Sequence, residues 1–131
     1  MTIDKLTSQK SSRIYSYLQS KKLPNGSFIS AELAESDLRC VYCAILIANM
    51  INIDLKESDL FANTLEFILT CQNFDGGFGS IPRGESHTGY TFCAVACLEL
   101  MGELDKCNIN KLIVILSQKS FFIITFLYKL Q

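Results

Sequence analysis

The chain has 131 residues, of which 49% are hydrophobic, with six cysteines and a formal net charge of −1. That length suits one domain with a moderate core, and so small a net charge excludes the electrostatic footprint of a nucleic-acid or anionic-membrane binder. Met1-Thr2-Ile3-Asp4-Lys5 carries no apolar stretch of the signal-peptide kind, so the cysteines read as buried thiols of a reducing, cytoplasmic compartment and not as a disulfide framework.

Ile14, Tyr17 and Leu18 share one helical face, and Pro24-Asn25-Gly26 stops that first predicted helix. A loop to about Ser36 leads into Asp37 to Met50, which has little charge after Arg39 and reads as a buried helix. Ser58 or Asp59 caps a third predicted helix with Leu60, Phe61, Leu65, Ile68 and Leu69 on its apolar face. Asp75-Gly76-Gly77 ends it with residues that tolerate positive φ. The loop Phe78 to Glu85 then opens into a second nearly uncharged helix, His87 to Met101, closed by Gly102.

These elements form a self-repeat. Sliding the sequence by fifty residues lays Asn25-Gly26-Ser27-Phe28 on Asp75-Gly76-Gly77-Phe78, Glu35-Ser36 on Glu85-Ser86, and Tyr42-Cys43-Ala44 on Phe92-Cys93-Ala94, without a gap. Repeats of this length stack into arrays or rings. Each unit pairs a half-exposed helix with an enclosed one, the pattern of a ring of helical hairpins with outer and inner layers. The repeats cover about residues 10–54 and 58–104, with an incomplete third over 108–120 and a divergent tail over 121–131. Leu112, Ile113, Ile115 and Leu116 restart the outer-helix pattern, but no glycine turn follows. Phe121 to Tyr128 is instead an apolar, β-branched and aromatic run, too short to span a bilayer and prone to aggregate if left unpaired. It has the look of a truncated reading frame.

Chemistry is expected where the two copies differ: Asp37 and Arg39 occupy the slots of His87 and Gly89. His87, the chain's one histidine, begins an inner helix beside Thr88 and Gly89. Free backbone N–H groups and the helix dipole favour an anion there, and an imidazole at that point is either a phosphate donor or simply a cap. Arg39, the only charge between Leu38 and Ile53, either meets an anion or pairs with Asp37 or Glu35. Tyr42, Cys43, Tyr90, Phe92 and Cys93 begin the inner helices, either as hairpin packing or as the lining of a hydrocarbon-sized cavity. Cys40-Val41-Tyr42-Cys43 lies within a helix with no second pair or histidine nearby, so no metal site is assigned to it.

Asn25-Gly26-Ser27-Phe28 with Ser36-Asp37-Leu38-Arg39-Cys40-Val41-Tyr42-Cys43-Ala44 resembles the β subunits of protein prenyltransferases. So does Cys71-Gln72-Asn73-Phe74-Asp75-Gly76-Gly77-Phe78-Gly79 with Glu85-Ser86-His87-Thr88-Gly89-Tyr90-Thr91-Phe92-Cys93-Ala94. The match runs roughly from Arg13 to Leu104 and is most like the geranylgeranyl type I subunit, with the farnesyl and Rab-specific type II subunits as alternatives. The resemblance implies an all-α architecture, an α/α toroid of six helical hairpins of which about two and a half are present here. It implies a partner α subunit and transfer of a geranylgeranyl group from its diphosphate to the cysteine of a CaaX protein. His87, Thr88, Gly89 and Tyr90 would then bind the isoprenoid diphosphate, and Arg39, Tyr42, Cys43, Phe92 and Cys93 would line the cavity for lipid and peptide. Zinc is expected for the full-length family, but the basic diphosphate clamp and the Asp-x-Cys pair into which the family's third repeat continues, and a later histidine, have no counterpart in the third repeat of this sequence. The chain alone is therefore expected neither to bind catalytic zinc nor to turn over substrate. A non-catalytic helical-repeat binding protein is the second reading. A toroidal terpene cyclase is disfavoured, since no acidic cluster suited to ionising a polyene is present.

Overall fold

The structure, a computed structural model, describes residues 2–31 and 34–129, with side chains described as far as residue 119. It contains five α-helices, α1 (Ile3–Lys21), α2 (Leu38–Met50), α3 (Thr64–Thr70), α4 (Thr88–Met101) and α5 (Ile109–Lys129), with single 3-10 turns at Asp59–Phe61 and Leu104–Lys106. The fold is all-α. Helices α2 and α4 are the inner pair and make the principal helix–helix contact, while α1, α3 and α5 are the outer members.

The fifty-residue repeat holds at the level of single hydrogen bonds. In the first turn Leu23 N donates to Ser27 O (2.8 Å), Gly26 N to Leu23 O (3.0 Å) and Ile29 N to Lys21 O (2.9 Å). In the second, Asn73 N donates to Gly77 O (2.8 Å), Gly76 N to Asn73 O (3.0 Å) and Gly79 N to Cys71 O (3.0 Å). Asn25 Oδ1 accepts from Ser27 N at 3.0 Å as Asp75 Oδ1 accepts from Gly77 N at 2.9 Å, the same side-chain turn built from either residue. Each turn drops a phenylalanine, Phe28 or Phe78, into the core. Phe61 and Phe67 join them, and Leu38, Val41, Ile45, Ile68, Cys71, Cys97 and Leu98 are fully enclosed.

The outer helix expected after Ser58 is broken. Ser58 caps only the 3-10 turn, its Oγ accepting from Leu60 N at 3.3 Å, and Asn63 at φ 65° interrupts the chain before α3 begins. The cause is the turn of the first hairpin. Thr64 Oγ1 donates to Gly26 O at 2.7 Å and Asn63 Nδ2 to Pro24 O at 3.2 Å, so the start of α3 is pinned onto the Pro24–Gly26 turn. The second turn treats α5 alike, with Gly76 lying against the backbone of Lys111.

The tail, for which the sequence suggested no element, continues α5 as helix through residues 121–129. Nothing between Ile109 and Lys129 is a Gly or Pro, so no residue of the stopping kind ends the helix. Leu130 and Gln131 lie outside the described residues. Among the described residues, no helix is long and apolar enough to cross a membrane.

Candidate functional site

The starts of the two inner helices are fastened to one short segment. His87 N donates to Phe78 O at 3.0 Å, and Leu38 N donates across the hairpin boundary to Ser80 O at 2.9 Å. That segment is itself braced. Asn73 Nδ2 donates to Gly84 O (2.6 Å) and to Ser86 Oγ (2.9 Å), and Ser86 Oγ donates to Asp75 Oδ1 (2.7 Å). Residues 37–39 and 87–90 therefore sit side by side.

His87 is the N-cap of α4, with extended backbone, and its Nδ1 accepts from Gly89 N at 3.0 Å. A neutral imidazole that accepts at Nδ1 carries its proton on Nε2, so an N–H donor is left over at the helix N-terminus, on an exposed side chain. The amide of Gly89, expected to be free for a ligand, is thus already engaged by the cap. The missing side chain of Gly89 makes room for the ring, since a Cβ there would lie 3.2 Å from His87 Nδ1 and 3.3 Å from its Cε1. Thr88 is exposed at the first helical position. His87 and Thr88 line a cavity of about 50 Å³ whose other walls include Asp75, Ser86, Ile115 and Lys119. Lys119 was not evident as a site residue from sequence; its spacing with Ile115 and Leu116 (i, i+3 and i+4) was the signal that it shares their face.

Asp37 caps α2 in the same way, its Oδ1 accepting from Arg39 N at 2.8 Å. Its carboxylate also takes the Arg39 guanidinium in a fork, with Nη2 to Oδ2 at 2.5 Å and Nε to the two oxygens at 3.1 and 3.2 Å. The pairing of Arg39 with Asp37 is realised, yet the side chain of Arg39 remains 65% exposed while that of Asp37 is 6% exposed. The guanidinium carbon lies 5.7 Å from the centre of the Tyr90 ring, and that ring lies 5.2 Å from the His87 imidazole.

Tyr42 meets Phe92 edge-on at 5.8 Å, and Phe92 is 61% exposed. Cys43 is exposed, whereas Cys93 is buried. Arg39 and Cys43 line a second, largely apolar groove of about 230 Å³ with Tyr17, Phe28, Ala44 and Ile47. Of the sequence-predicted residues, His87 with Thr88 and Arg39 with Cys43 form two groups joined by Tyr90, while Tyr42 pairs with Phe92 and Cys93 is buried.

Burial lifts the Asp37 carboxyl, but its hydrogen bonds from the Arg39 side chain and backbone outweigh this and hold it below its ordinary value near 3.8. Because the folded value is the lower one, the stability Asp37 contributes is complete above the unfolded value. It is lost as pH falls through the folded one. Urea midpoints measured from about pH 5 to 2 should therefore fall less steeply for Asp37→Asn than for the parent chain. Burial raises the Cys71 thiol to about 12 and raises Cys97 as well. Under native conditions Cys43 should consume a maleimide reagent while Cys71 and Cys97 stay unmodified, as mass spectrometry of the peptides would show.

Residues 1–123 match the prenyltransferase alpha-alpha toroid domain. The chain belongs to that family. It is 41% identical over 107 residues to the protein farnesyltransferase subunit beta of Schizosaccharomyces pombe, covering 82% of this chain and 28% of the relative. It is 48% identical over 83 residues to the geranylgeranyl transferase type-1 subunit beta of Arabidopsis thaliana, covering 60% and 20%. With the geranylgeranyl transferase type-2 subunit beta of Candida albicans it shares 37% over 102 residues, covering 77% and 29%. Among solved structures, Candida albicans protein geranylgeranyltransferase-I complexed with GGPP superposes with a TM-score of 0.51 at 30% identity, over 66% of this chain and 27% of that one. The chain thus spans between a fifth and a third of the length of these relatives, and its helices are a fragment of a prenyltransferase toroid.

The zinc implied for the full-length family fails its test here: among the described residues no three His, Cys, Asp or Glu side chains converge in a way that could hold a metal ion.

Proposed function

We propose that this chain supplies the diphosphate end of an isoprenoid-diphosphate site in the β subunit of a protein prenyltransferase, with geranylgeranyl diphosphate as the lipid donor and a CaaX cysteine thiolate as acceptor. The observation that carries this reading is the His87 cap: Nδ1 is spent on Gly89, and Nε2–H is left as a donor at the N-terminus of a 14-residue helix. Thr88, Gly89 and Tyr90 frame the diphosphate around it. Tyr42, Phe92, Cys43 and Arg39 offer apolar surface and one cation for lipid and peptide, with Cys93 packed behind them. A prenyltransferase α subunit as partner, cytoplasmic location and the remainder of the reaction, zinc included, belong to the whole protein under this reading.

The relatives include farnesyl, type-1 and type-2 subunits. The 48% identity to a type-1 subunit, over a shorter stretch, supports the geranylgeranyl form, while the longer match to a farnesyltransferase subunit supports the farnesyl alternative. Titration with geranylgeranyl diphosphate, farnesyl diphosphate and inorganic pyrophosphate, followed at the His87 imidazole by NMR, tests both levels. All three should move its resonances, and the longer lipid should bind more tightly through its additional buried methylenes. An imidazole indifferent to all three overturns the diphosphate site. A preference for the farnesyl compound reverses the lipid assignment alone.

A further inference from the structure

The first repeat reaches into the site of the second through a row of adjoining groups. The Asp37 carboxylate is buried and grips the Arg39 guanidinium through two side-chain nitrogens; the guanidinium faces the Tyr90 ring, which packs on the His87 imidazole at 5.2 Å. The two ends of the row are anchored on the same segment, through Leu38 N to Ser80 O and His87 N to Phe78 O. Arginine is a long side chain with several freely rotating bonds, and here it is mostly exposed. Its fork to Asp37 is the set of hydrogen bonds that holds this exposed guanidinium beside Tyr90. The acid that aims it is enclosed and fixed as the cap of α2.

We infer that Asp37 is a positioning residue for His87: by aiming Arg39 onto Tyr90, it fixes the ring against which the imidazole rests, so the first hairpin orients the anion donor of the second. The inference rests on the reading of His87 as the diphosphate ligand. Lysine could not replace Arg39 in this row, because an ammonium lacks both the two-pronged fit to a carboxylate and the flat face presented to an aromatic ring.

The test uses the full 131-residue chain, in which His87 is the single histidine and gives one set of imidazole signals. In the unliganded parent chain the ring current of Tyr90 should displace the His87 Cε1–H resonance, with cross-relaxation between the two rings. Asp37→Asn keeps a strong N-cap for α2, yet should abolish that displacement and weaken inorganic pyrophosphate about two- to fivefold, the worth of one exposed cation–aromatic contact. Arg39→Lys should do the same, and the double variant should be no worse than either single one. Tyr90→Phe should retain the signature and Tyr90→Leu should lose it. If Asp37 acts only as a cap, Asp37→Asn will leave the His87 spectrum as in the parent chain, and the inference is overturned. Arg39→Lys behaving as the parent chain overturns it equally, since charge without aim would then suffice. A parent chain that shows the ring signature but ignores pyrophosphate sinks the diphosphate reading and leaves the positioning established.

Discussion

Gly76→Ala is expected to destabilise the chain by about 3–4 kcal/mol, combining the cost of a non-glycine residue at positive φ with that of overpacking a filled site. Gly76 sits at φ 94°, and a Cβ added there would lie 2.3 Å from the carbonyl carbon of Lys111 and 2.4 Å from its oxygen. Both atoms are backbone of α5, so relief requires the whole helix to move away from the turn. Gly26 is built alike, at φ 91° with an added Cβ 2.2 Å from Asn63 O, and Gly26→Ala should cost as much by pushing α3 off the first hairpin. Gly77 provides the comparison. Its added Cβ would meet the Ser86 side chain at 2.8 Å and the end of Ile115 at 3.1 Å. The end of Ile115 can rotate aside and Ser86 has only to shift with its loop, and Gly77 is not at positive φ, so Gly77→Ala should cost less than Gly76→Ala. Equal urea midpoints for Gly76→Ala and Gly77→Ala would show that neither the positive φ nor the seating of α5 sets Gly76 apart.

That double duty of the glycine turn marks the boundary of what was legible in the sequence. The spacing of Asn25-Gly26 and Asp75-Gly76 announced two equivalent turns, and the near absence of charge from Leu38 to Met50 and from Thr88 to Met101 announced two enclosed helices, because both signals are local. The break at Asn63 was not legible, since it arises from a turn 37 residues earlier in the chain pressing on the start of α3. Periodicity alone made Leu60, Phe61, Leu65 and Ile68 one helix. The helical course of residues 121–129 was not legible for a different reason: β-branched and aromatic residues carry a strand preference of their own, whereas an uninterrupted helix already under way from Ile109 outweighs it. At the site, the position of His87 at a helix start was readable from the residues around it. That its own ring consumes the Gly89 amide was not, because nothing in the order Ser86-His87-Thr88-Gly89 says which way the imidazole turns.

Replacing His87 by aspartate should leave the fold intact and remove the anion site. The precedent is internal. Asp37 holds the equivalent slot of the first repeat and caps α2 by accepting from Arg39 N at 2.8 Å, as His87 Nδ1 accepts from Gly89 N at 3.0 Å. Aspartate is among the strongest N-caps, and alanine lacks one, so His87→Asp should fall within about 0.5 kcal/mol of the parent chain while His87→Ala loses about 1 kcal/mol. Binding should follow a different order. Both variants lose the Nε2–H donor, and a hydrogen bond to a charged group is worth about 1.5–3 kcal/mol, so pyrophosphate affinity should drop about 10- to 100-fold in His87→Ala. In His87→Asp the new carboxylate also repels the ligand, and the drop should be larger still. Calorimetric titration against urea midpoints separates the two effects. If His87→Ala binds pyrophosphate as well as the parent chain, the helix N-terminus alone holds the anion and the imidazole is only a cap. If affinity instead falls in step with lost stability across both variants, the site is an ordinary consequence of folding. The expected pattern is the crossed one, with the better cap the worse binder, because the first repeat keeps its helix with an acid in the slot where the second carries a donor.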